Sequence, residues 1–391
     1  MNFNKATKVH NYLRVPLLIP SHQNFQSFSL TFARNGYFYH SINLSNLRKK
    51  THLLVIRLSA MGDVAMTVPV LRAFAAQHPA IKITVVSKPF LKPLFNDIEN
   101  LTFYAADVNG KHKGVLGMYQ LYSELKKLEI THIADLHNVL RSKILRMFFR
   151  FSSRKIAAID KGRAEKKALT RIKNKVFKQL KTSHQRYADV FEKLGFPVDL
   201  SNPKRIVKPA LSESVVKITG KKQRPWIGIA PFAAFDSKTY PLELMELVIT
   251  KLSMEHTLFL FGGKEDLSVL EMLSKKYSNT ISVAGKLNGF KDELNLIAHL
   301  DVMLSMDSGN AHFAAMQQIP TITLWGGTHP FAGFAPFNQP EEYCMLPDLE
   351  KSPSIPCSIY GNTICKGTED VMRTILPEEI IKKITTALKT K

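Results

Sequence analysis

The stretch from Leu53 to Arg72, LLVIRLSAMGDVAMTVPVLR, constrains the fold more than any other part of this sequence. It opens with the apolar run 53–56, which is short, rich in branched residues and without helical periodicity, as is typical of a strand buried on both faces. Small and turn-forming residues follow, and apolar residues then return at helical spacing over 64–76. This order predicts the first unit of an open parallel α/β sheet, which binds its ligands beyond the carboxyl ends of the strands.

Asp63 lies in the turn between this strand and this helix. A carboxylate at the mouth of a cleft can act as a general base. Asp is also a frequent capping residue at the start of a helix, and a Gly-Asp pair does not distinguish the two roles. On local pattern alone, both interpretations stay open.

The same alternation of short apolar runs and amphipathic segments continues along the chain. In the first half we predict strands at 81–87, 130–136 and 154–159, and helices at 119–127 and 140–149. The pattern restarts with strands at 226–230, 258–261, 301–305 and 321–324, and with helices at 242–252, 266–277, 291–299 and 309–317. Repeated strand–helix alternation predicts two doubly wound domains rather than an all-helical or all-β fold.

Composition shifts place the domain boundaries. We predict an N-terminal domain over 51–197, a linker over 198–224, a C-terminal domain over 225–376, and a last helix over 377–391 that packs back on the first domain. Residues 1–50 show no clear period, and we interpret them as a poorly ordered extension or as sequence upstream of the true start.

The charge balance predicts an anionic partner. The chain has 54 Lys and Arg against 32 Asp and Glu, and 16 of these cations but only two acids fall within 141–186. Inside that block Leu169, Ile172, Val176 and Leu180 have helical spacing, which predicts a basic amphipathic helix. Such a helix binds phosphate groups or anionic lipid headgroups, or it is simply a solvated face. No apolar run reaches the length of a membrane span, so we expect any membrane contact to be peripheral.

Cys344, Cys357 and Cys365 all lie near the C-terminus. An odd number of cysteines without a Cys-x-x-Cys pair favours a reduced, cytosolic protein over a disulfide scaffold. Nothing in their spacing predicts a metal site or another function.

Three loops of the second half have the composition of nucleotide contacts. Small residues in 306–312 precede a helix whose first N–H groups can face a diphosphate, although the same loop can be only a capped helix. Lys238, in Asp236-Ser237-Lys238, can neutralise phosphate charge or be an exposed loop lysine. The run 262–265 can meet a ribose or a base, or be a turn. Neither GxGxxG nor GxxxxGK[ST] occurs, which disfavours dehydrogenase and P-loop functions.

Several motifs together resemble one family. They are RLSAMGDVAMTVPVLRA at 57–73, DLHNVLRS at 135–142, the Lys238 loop, and GKLN, LSMDSGNAHFAA and PTITLWGGT between 285 and 328. In this order they resemble glycosyltransferase family 9, the ADP-heptose:lipopolysaccharide heptosyltransferases, over about 51–385. The resemblance implies an α/β fold of two facing Rossmann-like domains (GT-B type) with an interdomain cleft, and an inverting, metal-independent transfer without a cofactor.

The resemblance also assigns roles to residues. It implies that Asp63 is the base that deprotonates the acceptor hydroxyl, and that Lys238 assists catalysis at the donor. The implied donor contacts are Ala233, Ala234, Lys238, Glu265, Asp307, Ser308, Gly309 and His312. The implied acceptor contacts are Ser59, Met61, Gly62, Asn138 and Arg141. Lys264 competes with Glu265 for the nucleoside contact, and Ala233-Ala234 replaces a pair of threonines, so that only backbone N–H groups remain to bind phosphate there.

The resemblance thus implies transfer of heptose from ADP-heptose to a phosphorylated, lipid-linked core saccharide. We expect a cytoplasmic enzyme, peripheral at the anionic inner face of the inner membrane. Two alternatives stay open: an epimerase or transferase that uses another nucleotide sugar, and a basic nucleic-acid-binding protein. The second lacks any recognisable nucleic-acid module.

Overall fold

The computed structural model describes residues 51–150, 153–364 and 366–390. The predicted N-terminal extension, 1–50, lies outside the described residues. Residues from Thr51 onward form one unit by their internal contacts, and this unit contains two parallel sheets with helices on their faces. None of its described helices combines the length and the apolarity needed to cross a bilayer.

The first sheet belongs to the N-terminal half. Its strands are β1 (His52–Ile56), β2 (Lys82–Ser87), β3 (Leu101–Ala105), β4 (His132–Asp135) and β5 (Lys155–Ala158). They pair in parallel in the order β3-β2-β1-β4-β5. Its helices are α1 (Met61–Ala65), α2 (Thr67–Gln77), α3 (Gly114–Lys126), α4 (Leu140–Arg150), α5 (Arg163–Leu169) and α6 (Ser183–Lys193). Every residue of β1 is buried, as its unbroken apolar run predicts.

The second sheet belongs to the C-terminal half. Its strands are β6 (Trp226–Ala230), β7 (Thr257–Leu260), β8 (Thr280–Ser282), β9 (Val302–Met306), β10 (Thr321–Leu324) and β11 (Cys344–Met345). They are parallel in the order β11-β10-β9-β6-β7-β8. The helices are α7 (Glu213–Thr219), α8 (Leu242–Ser253), α9 (Leu267–Lys276), α10 (Phe290–Ile297), α11 (Gly309–Met316) and α12 (Pro377–Lys389). The predicted α/β class with two doubly wound halves is confirmed.

Three predictions are wrong. The basic block does not form one amphipathic helix: α5 ends at Leu169, and the chain then leaves helical geometry to bond with loops of the other half. There Lys175 Nζ donates to the Ser354 carbonyl at 2.6 Å, and the Leu180 N–H donates to the Phe331 carbonyl at 2.9 Å. Leu169 and Leu180 are buried together near Ala332, whereas Ile172 is 84% exposed, so their spacing reflects no helical face.

The second wrong prediction concerns the last helix, which was expected to pack back on the first domain. Instead of returning to the first half, α12 buries Ile380 and Ile384 in the core of the second half, against α8. These apolar positions recur at helical spacing and find their partners in the nearest sheet layer.

The third wrong prediction concerns the cysteines. Cys344 has a free thiol, but Cys357 is disulfide-bonded, contrary to the expectation that the cysteines are reduced. Cys365 lies outside the described residues.

Candidate active site

Both sheets place their functional loops where the strand order reverses. In the first sheet β1 and β4 are neighbours, so the loop that carries Asp63 lies beside the loop that follows β4. In the second sheet β6 and β9 are neighbours, so the loop that carries Lys238 lies beside the start of α11. Open α/β sheets form their binding crevices at these positions, because the loops on the two sides of the reversal diverge.

Asp63 is both a helix-start residue and a cleft residue. Its Oδ2 accepts a hydrogen bond from the backbone N–H of Ala60 at 3.3 Å and forms an ion pair with Arg57 at 2.6 Å. Among the described residues no hydrogen bond is made to its Oδ1, and the side chain is 33% exposed. The two interpretations of Asp63 are therefore compatible, since one oxygen holds the side chain in place while the other stays available.

The two halves touch next to Asp63. A Cβ placed on Gly62 would lie 3.3 Å from Gly309 Cα and 3.3 Å from His312 Cδ2. The absence of a side chain at Gly62 thus lets the start of α1 lie directly against the start of α11. This contact brings the carboxylate of Asp63 to the first turn of a helix from the other half.

Lys238 extends toward the same place from the second half. It ends a single 3₁₀ turn after β6, and its Nζ donates to the Asp307 carbonyl at 2.7 Å and lies 3.3 Å from the Asp307 carboxylate. Thr328 also donates to that carboxylate, at 2.9 Å. The ammonium group is therefore fixed beside the N-terminus of α11, where two sources of positive potential add.

His312 lies within the first turns of α11 and is buried. Burial lowers the pKa of its imidazole, so the ring is neutral near pH 7. Its Nδ1 has no hydrogen-bond partner in the described part of the chain. A neutral imidazole in this position can donate a hydrogen bond to a bound polar ligand or accept one from it.

One cavity of about 1040 Å³ unites most of the predicted residues. From the first half it is lined by Met61, Gly62 and Asp63. From the second half it is lined by Ala233, Ala234, Lys238, Glu265, Asp307, Ser308, Gly309 and His312. Lys264 lines it as well, so both residues predicted as candidates for the nucleoside contact, Lys264 and Glu265, lie on its wall. A space of this size accommodates a nucleotide sugar.

The remaining predicted acceptor residues lie elsewhere. Ser59 lines a smaller cavity of about 190 Å³ that also touches Asp63. Asn138 lines a third cavity, and its side-chain amide donates to the Ile159 carbonyl at 2.8 Å. Arg141 is exposed at the start of α4 and lines none of the three cavities.

Several wall residues of the large cavity were not predicted from sequence, Phe290 and Glu293 among them. Phe290 stacks edge-on against Phe313 with centroids 5.1 Å apart. Glu293 follows on the same helix, and burial raises the pKa of its carboxyl to about 7. Both lie on α10, whose sequence reads as an ordinary amphipathic helix, so nothing in the local pattern distinguishes them from core and surface positions.

Comparisons with known proteins identify the family of this chain. The family model "Glycosyltransferase family 9 (heptosyltransferase)" matches residues 118–358, which is more than half of the chain. Lipooligosaccharide heptosyltransferase 2 of Haemophilus influenzae is 28% identical over 301 residues, which cover 71% of this chain and 84% of that protein.

Solved structures agree on the fold. A family 9 glycosyltransferase from Veillonella parvula superimposes with a TM-score of 0.69 at 20% identity, covering 88% of this chain and 98% of the other. The ADP-heptose LPS heptosyltransferase II of E. coli gives 0.62 at 18% identity, covering 87% and 99%. With the family model matched over most of both halves, the chain belongs to glycosyltransferase family 9 and is a glycosyltransferase.

Proposed function

We propose that this enzyme transfers heptose from ADP-heptose to a lipopolysaccharide core acceptor, with inversion at the anomeric carbon and without a metal ion. One observation carries the proposal: a carboxylate of the first half and a lysine and helix start of the second half line a single cavity. The names of the relatives, which are heptosyltransferases, support the choice of sugar and acceptor.

The acceptor is activated at Asp63. Its free Oδ1 takes the proton of an acceptor hydroxyl while that oxygen forms a bond to the anomeric carbon. The ion pair with Arg57 at 2.6 Å fixes the position of the carboxylate before the transfer. A positioned base of this kind contributes roughly 10²- to 10⁴-fold to the rate.

The leaving group departs toward the second half. As the bond between the anomeric carbon and the phosphate oxygen breaks, ADP leaves with the electron pair, and negative charge grows on its diphosphate. Lys238 and the first N–H groups of α11 supply the opposing potential. We place the base and the leaving group on opposite sides of the sugar, so that a single displacement inverts the anomeric centre. Because Ala233 and Ala234 have no hydroxyl, only their backbone can contact the phosphates.

The experiment is a thermal-shift screen of nucleotide sugars, ADP among them. At 100-fold its dissociation constant, a ligand adds roughly 2.7 kcal/mol to the free energy of unfolding. We expect ADP-heptose to stabilise the wild type and Asp63→Asn, and to stabilise Lys238→Gln much less. Stabilisation by a different nucleotide sugar, with none by ADP-heptose, contradicts the donor assignment. Unchanged turnover after EDTA treatment is the expected result for a metal-free transfer.

The acceptor and the surface of α3 and α4 indicate where the enzyme works. Leu116 on α3 and Leu140 on α4 are 85% and 73% exposed, and Tyr119 of α3 contacts Phe148 of α4 with ring centroids 5.4 Å apart. Helix α4 contains four cations and no acid. Exposed apolar side chains beside cations are typical of a surface that binds anionic membranes.

We therefore propose peripheral binding to the cytoplasmic face of the inner membrane through α3 and α4. Vesicles with 30% anionic lipid should sediment the wild type, whereas purely zwitterionic vesicles should not. Leu116→Ser combined with Leu140→Ser should weaken sedimentation, while Ile172→Ser, which removes an equally exposed apolar side chain elsewhere, should not. Equal loss in both variants contradicts this assignment of the surface.

A further inference from the structure

The smaller cavity beside Asp63 has an excess of positive charge. It encloses about 190 Å³, and Asp63 and Tyr360 line both it and the large donor cavity. Its wall also includes four basic side chains: Arg57, Lys161, Lys166 and Arg186. Asp63 therefore stands between the donor cavity and a cationic cavity.

Two of these cations are compensated by protein groups. Arg57 pairs with Asp63 at 2.6 Å and donates to the Leu136 carbonyl at 2.7 Å. Arg186 pairs with Glu165 at 3.0 Å and donates to the Lys181 carbonyl at 3.1 Å. These two guanidinium groups are structural members of the wall.

The two lysines are not compensated in this way. Across 51–150, 153–364 and 366–390, no carboxylate lies within 4.0 Å of the Nζ of Lys161 or Lys166. Lys166 is only 8% exposed, and its Nζ lies 4.0 Å from the ring centroid of Phe334. Burial, and next the charge of Arg186, lower the pKa of Lys166 to about 8. Burial, and next the charge of Arg57, lower the pKa of Lys161. A buried cation without an anion is costly, and a bound anion would remove that cost.

Neutral donors complete the wall. The Leu58 N–H donates to His137 Nδ1 at 3.4 Å, so the proton of the neutral ring is on Nε2, 3.5 Å from Ser59 Oγ. Burial lowers the pKa of His137 to about 3, which keeps this ring uncharged. Ser183 lines the cavity as well. Lysine, imidazole and hydroxyl donors around a small space are the groups that bind a phosphate or a carboxylate.

We propose that this cavity is an anion subsite of the acceptor, in which Lys161 and Lys166 bind a phosphate or carboxylate carried by the sugar that receives the transfer. This inference rests on the proposed function for the identity of the acceptor. The space, about 190 Å³, is large enough for the anionic group. Because Asp63 borders the cavity, an anion bound there places a hydroxyl of the same sugar next to the base. The two lysines thus determine which hydroxyl is glycosylated.

The binding test uses inorganic phosphate and acetate at constant ionic strength, without donor or acceptor. Both anions should raise the midpoint of thermal unfolding of the wild type, and Lys161→Gln and Lys166→Gln should lose most of that rise. Lys166→Arg should keep it, because the charge is kept. Lys167→Gln is the matched control. Lys167 is the exposed neighbour of Lys166, and its replacement by glutamine changes the net charge by the same amount. Phosphate bound at Lys238 contributes equally to all of these variants.

The kinetic test distinguishes the source of the anion. A truncated core saccharide is compared with the same saccharide after phosphatase treatment and after reduction of its carboxyl groups. Whichever treatment removes the bound group should raise the KM for the acceptor roughly 10- to 100-fold in the wild type and change it little in Lys166→Gln. The KM for the donor should not change.

Either of two results of the binding test overturns the inference: wild-type protein that neither anion stabilises, or Lys167→Gln that loses as much stabilisation as Lys166→Gln. Failure of the proposed donor has a different signature. In that case ADP-heptose does not stabilise the protein, while phosphate or acetate still does so through Lys161 and Lys166.

Discussion

Replacing Lys166 by methionine should make the protein more stable. The side chain is buried beside Arg186, and its pKa falls from 10.5 to about 8. Each pKa unit corresponds to about 1.4 kcal/mol, so the charged form is disfavoured in the fold by about 3 kcal/mol at most. Methionine keeps the apolar stem but loses the contact between the cation and the ring of Phe334, which is worth about 1–2 kcal/mol. We expect a net gain of about 1–2 kcal/mol.

The gain should depend on pH in a defined direction. Below pH 8, Lys166 is charged in both the folded and the unfolded wild type. The buried charge then lowers the free energy of unfolding of the wild type by its full amount, and the difference between Lys166→Met and the wild type is largest. Between pH 8 and 10.5 the folded wild type loses this proton first, and the advantage shrinks. Above 10.5 it should be gone. Asp63, Glu165 and Lys161 also act on Lys166, the two acids raising and Lys161 lowering its pKa.

The assay is urea unfolding of the wild type, Lys166→Met and the control Lys167→Met at pH 7 and at pH 10. At pH 7 we expect a higher free energy of unfolding for Lys166→Met, a thermal midpoint raised by roughly 1–3 °C, and no change in the control. A Lys166→Met variant that is less stable than the wild type at pH 7 would show that the protein already compensates this charge. The argument for an anion subsite would then be refuted.

Two further substitutions test the walls of the large cavity. Gly62→Val should lower turnover at least 10-fold while the protein stays folded, because its side chain would push α1 away from Gly309 and His312; steady-state kinetics with circular dichroism would show this, and wild-type turnover would contradict the close contact. Glu293→Gln should raise the free energy of unfolding at pH 8 but not at pH 4. Burial raises the pKa of Glu293 from 4.5 to about 7. The charged carboxylate therefore lowers the free energy of unfolding of the wild type only as the pH rises from 4.5 through 7. Urea unfolding at both pH values measures this, and an equal change at both would show that charge is not the cause.

Sequence pattern predicts well those strands that are buried at every residue. The apolar run of β1 lies in the centre of its sheet, and WIGIA of β6 is buried at every residue, so both show the expected unbroken hydrophobicity. β3 escapes prediction because it is an edge strand whose residues are half-buried or exposed. The helix expected after Leu169 fails for another reason: long-range bonds of Lys175 and Leu180 to the second half replace helical bonds, and no local pattern contains that information.

Some residues of the site can likewise be predicted from sequence, whereas others are identified only by the fold. Residues beside strand ends, such as Asp63 and Lys238, are predictable because an open α/β sheet directs those loops into the crevice. Lys161 and Lys166 belong to a long basic block, in which each cation looks alike in sequence. Only the fold shows that these two are enclosed next to Asp63 while Lys167 faces solvent. Burial of a single charge among many is a property of packing.

The central claim, that Asp63 is the base facing a donor held by the second half, is tested most directly by the turnover of Asp63→Asn at saturating ADP-heptose. Saturation is verified by an unchanged thermal shift with the donor. We predict a kcat lowered by roughly 10²-fold or more, since the amide cannot accept the acceptor proton. An Asn variant that turns over like the wild type while the donor remains bound would contradict the account.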